Sequence, residues 1–413
     1  MPDKVRAAAA LGWWVDSHPH RCPMNTPGPA AVTHSTDSTD ATAPGAHAST
    51  PTERQQQFLR FAETECGEDP LYVVLCRLLA ERPGALALLD SAPRPQQRPN
   101  LLLAAIHERV LDGAGGAMAA WYPSADGTRA ADDPALPAAL DDLLAREHAA
   151  LAAHCAQRAT QTNEIGRCAV LWPALAQIAA ATGGRPLALL DFGCSAGLNL
   201  GVDRYRYQPG AEHWGPSDPA APLITCHPVG GATPPQAAPA HIATRLGIDP
   251  APVDLHDEAA VRWLRACLWP HDRARRERFD AAAAIVRAAG WPVHAEPDCA
   301  AAIEPWLDGL SAGVQPVVFN SWVLAYFTPA ERAAHIARMQ DLVQRRGIAW
   351  LSAEGPGLRL GDLPPSPAAD ERVSAAEIAN ASLWWLSLPG VAPRLVARSH
   401  AHGRWAHWAK VLG

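Results

Sequence analysis

The sequence predicts an α/β protein: an all-α N-terminal region, then an open, mostly parallel sheet closing on antiparallel strands. Three observations predict it. From Thr52 to Ala181 apolar residues recur at helix-compatible spacing, and no run there reads as a buried strand. After Arg185 short apolar runs alternate with helical stretches, the texture of a parallel sheet covered by helices on both faces. With 413 residues, 48% of them hydrophobic, the chain is long enough for two domains with a sizeable core.

The elements follow in order. Residues 1–52 divide into a short apolar run, "AAAALGWWV", and a tract from Arg21 to Thr52 rich in Pro, Ser, Thr, Ala and Gly. The run is faintly signal-like but short and without a convincing cleavage site, and it reads as a weak helix or an over-long start. The tract buries too little apolar surface to offset its ordering entropy and is expected to be disordered. Thr52 and Gln55 form a candidate capping box for the first helix of a helical domain over 53–181, which stops at Gly183-Gly184. A second domain over 182–413 follows, with a Pro/Gly-rich insertion at about 203–240. "PLALLDFG" predicts the first strand, and further strands lie in "HIATRLGIDPAPVDL", "WPVHAEPD", "QPVVFNSWVLAYF" and "GIAWLSAEGP". The tail from Ser382 predicts a pair of antiparallel strands.

Composition removes whole functional classes. The net charge is −7 with no long basic run, which argues against a nucleic-acid groove. Lys4 and Lys410 are the only lysines, so neither a phosphate-loop lysine nor an internal Schiff-base lysine is available. The nine cysteines contain no C-x-x-C pair, which argues against a disulfide framework or a structural zinc and points to the cytoplasm. No stretch reaches about 18 uninterrupted apolar residues, so no membrane span is expected.

The stretch "LLDFGCSAGLNL" carries the chemistry, and it reads two ways. As G-x-S-x-G it is a nucleophile elbow with Ser195 attacking an ester, and the chain order Ser195, Asp298, C-terminal histidine suits a hydrolase. As a glycine loop, Gly193 and Gly197 let the backbone approach a nucleotide-like ligand after the first strand. Position favours the second, because an elbow belongs after several strands. Ser195 stands where many such loops carry a further glycine, which also leaves room for a non-catalytic ligand-binding protein.

The loop resembles motif I of the class I S-adenosylmethionine-dependent methyltransferases. More closely, "TNEIGRCAVLWPAL", "LLDFGCSAGLNL", "RLGIDPAPVDL", "WLRACLWP", "VVFNSWVLAYF" and "HGRWAHW" together resemble one bacterial family, catalogued as domain of unknown function 2332, with a methyltransferase-like core. The resemblance spans about residues 55–410 and implies a Rossmann-like methyltransferase sheet, S-adenosylmethionine as cofactor and a small-molecule acceptor. It implies that Asp191, Gly193, Ser195, Gly197 and Asn199 hold the methionine part. Asp249 would bind the ribose hydroxyls and Asp298 would lie near the adenine. Asn320 and Glu164 would be catalytic, and Asn163, Arg167, Trp322 and Tyr326 would face the substrate. Glu164, His400 and His402 are the candidate general bases.

Plainer roles stand beside these. Asp249 fits a turn before Pro250, and Asp298 fits a helix cap. Trp322 and Tyr326 fit a core, and Glu164 with Arg167 fits a helix-surface ion pair. His400, His402 and His407 sit among tryptophans, which suits packing better than a metal, and none is expected.

Overall fold

A computed structural model describes residues 51–230 and 240–409. The expectations for the N-terminal tract, including the signal-like run, lie outside them. Helix α1 is already helical at Pro51 and runs Pro51–Thr64, so Thr52 sits in its first turn and not at its cap.

The helical region continues with α2 (Pro70–Ala80), α3 (Pro83–Ala87), α4 (Pro99–Leu111), α5 (Leu136–Arg146) and α6 (His148–Gln157). Asp69 caps α2 by accepting from the Tyr72 amide at 3.1 Å. These helices close on their own core around Phe58, Leu75, Leu101, Ile106, Leu140 and Leu151. Helix α7 (Cys168–Ala181) ends the helical stretch at Ala181. It is apolar nearly all round, and it packs on the sheet with the first strand instead of on the helical core.

The rest alternates strand and helix. Strands β1 (Leu187–Phe192), β2 (Arg206–Pro209), β3 (Leu223–Pro228) and β4 (Ile242–Asp249) come first. Helices α8 (Glu258–Ala266) and α9 (Arg273–Ala289) lead to β5 (Val293–Ala295), and α10 (Cys299–Asp308) leads to β6 (Gln315–Ser321). Helix α11 (Pro329–Arg346) leads to β7 (Ala349–Glu354). After α12 (Ala375–Ala379) come β8 (Ser382–Ser387), β9 (Arg394–Ser399) and β10 (Trp405–Trp408).

One ten-stranded sheet results, in the order β2-β3-β10-β9-β8-β7-β6-β1-β4-β5. Strands β5, β4, β1, β6 and β7 are mutually parallel, whereas β7, β8, β9 and β10 form an antiparallel meander. The tail therefore holds three strands where the sequence suggested two. The insertion after β1 supplies β2 and β3, which extend the far edge beside β10.

Every residue of β1 is buried, because helices cover both faces. Leu187, Leu189, Val317 and Leu351 meet α7, α8 and α9, while Leu190, Val318 and Trp350 meet α10 and α11. Helix α8 also belongs to the helical core through Trp263, whose Nε1 donates to Ala159 O at 2.8 Å. Arg262 Nε bonds Glu108 at 2.8 Å, and His107 meets Ala266 O at 3.0 Å. The two halves thus share a clasp. Strand order reverses at β1, with β4 on one side and β6 on the other, and the carboxyl ends of such strands are where open α/β sheets bind ligands.

Candidate functional site

The loop after β1 is the first wall. Gly193 (φ +75°), Ser195 (φ +52°) and Gly197 (φ +69°) all adopt left-handed backbone. Two are glycines, for which that is cheap; Ser195 is not. The loop is laced to the neighbouring strand end. Gly193 N and Cys194 N donate to Ile248 O at 2.8 and 3.1 Å, and Ser195 N donates to Asp249 Oδ2 at 2.8 Å. The other oxygen of Asp249 takes the Ala251 amide at 2.8 Å.

The loop after β6 is the second wall, and it repeats the pattern. Trp322 holds φ +56°, a conformation that costs a bulky residue free energy and persists only where its surroundings dictate it. The buried carboxylate of Glu354, closing β7, does the dictating. Its Oε1 accepts from Val323 N at 2.9 Å, Leu324 N at 3.2 Å and Asn320 Nδ2 at 2.7 Å. Burial raises the Glu354 pKa while these bonds and Arg167 pull it back.

Residues Thr160–Arg167 cross above both loops as a strap. Gln161 Oε1 bonds the Ser195 hydroxyl, and Asn163 Oδ1 accepts from Ala196 N at 3.3 Å. Glu164 takes the Gly166 amide at 2.8 Å on one oxygen, and the other lies 2.7 Å from Arg275 Nε in an ion pair. Arg167, buried at the end of the strap, reaches Ala401 O at 2.8 Å and Ser321 Oγ at 3.2 Å. Burial lowers its pKa to about 10, against the pull of Glu164, Tyr326 and Glu354.

Between strap and loops lies a cleft at the point where strand order reverses. Of the residues singled out in the sequence, Asn163, Glu164, Arg167, Gly193, Ser195, Asn199, Asp249, Trp322 and Tyr326 line it. Asp191 lies buried beneath. Burial pushes its carboxyl up to about 7; a bond from Asn199 lowers it, the charge of Asp249 raises it further and Arg167 opposes. Its Oδ2 has no partner among the described residues.

Other expectations meet different surroundings. Asn320 does not line the cleft: its amide is spent on Ser352 Oγ, Glu354 and the Trp350 indole, at 3.0, 2.7 and 2.8 Å, on the opposite face of the sheet. Asp298 is an exposed helix cap, accepting from Ala301 N at 3.0 Å. Gly197 packs beside Val293 and Leu200, outside the lining. The Ser195 hydroxyl meets a carboxamide where a hydrolase needs an imidazole. Burial and the arginines at 404, 275 and 167 push His400 down to about 3, a poor general base. No cluster of metal-ligating residues occurs among the described residues, and no described helix is long and apolar enough to cross a membrane.

Gln161 and Glu354 were not singled out in the sequence. Glu354 carries a signal that could have found it: like Asp191 and Asp249, it is an acid at or next to the carboxyl end of a central parallel strand. Gln161 carries none, since an extended polar segment looks like any loop.

A mixed, mostly parallel sheet with helices on both faces and a polar cleft at its switch point defines an α/β protein. The chain belongs to the family described as uncharacterized protein conserved in bacteria (DUF2332), whose model matches residues 55–408. None of the curated proteins matches it.

Proposed function

We propose that this chain is an S-adenosylmethionine-dependent methyltransferase acting on a small molecule. One observation carries the reading: the left-handed loop 193–197, pinned by the acid that ends the adjacent strand, walls a cleft at the switch point of the sheet.

The residues present suit that cofactor. Its amino-acid end bears an ammonium and a carboxylate. Asp191 offers a buried oxygen without a partner, one that an ammonium would satisfy. The loop's Ser195 hydroxyl and Ala196 amide now meet the carboxamide oxygens of Gln161 and Asn163, acceptors of the kind a carboxylate supplies. Asp249 uses two of the roughly four lone pairs of a carboxylate, which leaves capacity for ribose hydroxyls. Once bound, the cofactor would supply a methyl group already activated on a sulfonium. The protein's task would then be alignment and exclusion of water. Glu164 is tied to Arg275 and serves in holding the strap instead of moving a proton.

Calorimetry with S-adenosylhomocysteine on the whole chain tests the reading. Saturable single-site binding, lost in Asp249→Ala, is the expected result. Absence of heat with both the methylated and demethylated forms would overturn it, and labelling of Ser195 by a fluorophosphonate would replace it with the hydrolase.

A further inference from the structure

Gln161 stands between two spaces. On one side is the cleft just described; on the other is a second cavity that shares Thr160, Gln161 and Thr162 with it. The second cavity lies where the helical region meets the turn between α8 and α9. Its wall includes Tyr72, Asn100, Ala266, Trp269, Arg275 and His402, and it encloses about 90 Å³. We propose that this cavity binds a small carboxylic acid with a flat apolar body, and that it is the acceptor pocket of the methyltransferase. The second half of that statement rests on the function proposed above; the first half does not.

The charge of the wall selects the ligand. Arg275 is its one ionised side chain. Burial, with Arg275, His400, Arg167 and Arg404, keeps His402 neutral. Glu164 stands behind Arg275 and pairs with its charge, with one oxygen 2.7 Å from Nε but no hydrogen bond made there. No nitrogen of the guanidinium, Nε included, makes a hydrogen bond among the described residues, although the side chain is only 12% exposed. Tyr72, a residue only 3% exposed, stands in the same wall. A guanidinium fork without hydrogen bonds beside a phenol, with no acid in the lining, asks for an anion whose acceptors lie in one plane. A carboxylate is that group.

The remaining wall sets the body. The Trp269 ring lies 5.8 Å from that of Tyr72 at an interplanar angle of 53°, an aromatic corner, with Ala266 and Cys267 completing the apolar lining. A cavity on the order of 150 Å³ accepts benzene. The space here is smaller, so a benzoate is accommodated only where Gln161, the side chain shared with the first cleft, gives way and joins the two spaces. Gln161, the shared side chain, is what would have to swing for such a ligand to meet the first cleft.

Ligand-observed NMR on the whole chain tests this with benzoate, benzamide and inorganic phosphate as probes. Benzoate is expected to bind at least tenfold more tightly than benzamide. Arg275→Gln should erase that preference, and Arg275→Lys, which keeps the charge without the fork, should retain part of it. Thermal melts of both variants establish that they fold. The proposal is overturned if benzoate does not bind, if benzamide matches it, if phosphate outcompetes it, or if folded Arg275→Lys and Arg275→Gln both bind benzoate like the wild type. Benzoate binding in a chain that ignores S-adenosylhomocysteine would keep the carboxylate site and remove the methyltransferase. The reverse pattern would remove the pocket alone.

Discussion

Asp249, the last residue of β4, holds Ser195 of the neighbouring loop through a 2.8 Å bond from the Ser195 amide to its Oδ2. The Ala251 amide binds the other oxygen at the same distance. Both partners are donors, so asparagine is a poor isostere here: its NH₂ would face one of them. Asp249→Asn is expected to cost about 1–3 kcal/mol in urea unfolding, close to Asp249→Ala, because either leaves a donor buried without an acceptor. A neutral Asp249→Asn would show that the loop stands without this pin.

The positive φ of Ser195 makes a sharper test of strain. Ser195→Ala and Ser195→Gly both delete the hydroxyl that meets Gln161, so their difference isolates the backbone. A left-handed conformation costs a residue with a Cβ roughly 1–2 kcal/mol relative to glycine. The glycine variant should therefore be about 1 kcal/mol the more stable. Equal melting curves would mean that the loop relaxes out of the left-handed region when the hydroxyl is gone.

The second loop has the corresponding anchor in Glu354. One oxygen of this buried side chain receives two backbone amides and the Asn320 amide. Glu354→Gln keeps that oxygen and should cost about 1 kcal/mol. Glu354→Leu strands three buried donors and should cost about 3 kcal/mol or more. Chemical denaturation of the pair measures the gap, and similar losses from both would place the stabilisation in the charge instead of the acceptor.

Much of this was legible in the sequence, for reasons that differ by element. Short apolar runs closed by Gly, Asp or Asn mark strands, so β1, β4, β5, β6 and β7 could all be located, although only the central β1, β6 and β7 are buried nearly throughout. Their order follows only from which helices pack where, which is why β2 and β3 looked like an irregular insertion although they pair at the far edge. The cleft residues on the strand ends were legible because chain direction alone puts them at one rim. Asn320 misled: it sits at a strand end, yet alternation turns its side chain to the face opposite Arg167 and Ser321, where Trp350 and Ser352 consume it. Gln161 was invisible because its role comes from a long-range crossing of the strap over the loop.

Asp191 links stability to pH and to ligand. Its carboxyl titrates at about 7 in the folded chain, up from an ordinary 3.8, chiefly because burial disfavours the charge. Below about pH 4 the group is protonated in both folded and unfolded chains and contributes no difference. Between there and pH 7 the folded chain holds the extra proton, so stability falls as pH rises; above 7 the loss is complete. At 1.36 kcal/mol per unit, the displacement bounds that loss at about 4 kcal/mol. Asp191→Asn has no such titration. Its stability relative to wild type should climb from pH 4 to pH 7 and then level off, read from urea midpoints across the series. Binding should run the other way if an ammonium pairs with this carboxylate. S-adenosylhomocysteine should bind wild type more tightly at pH 8 than at pH 6, and Asp191→Asn should bind it weakly with that particular slope removed. A stability difference that stays flat from pH 4 to 8 would place the Asp191 proton elsewhere, and with it the cation-binding role assigned to the end of β1.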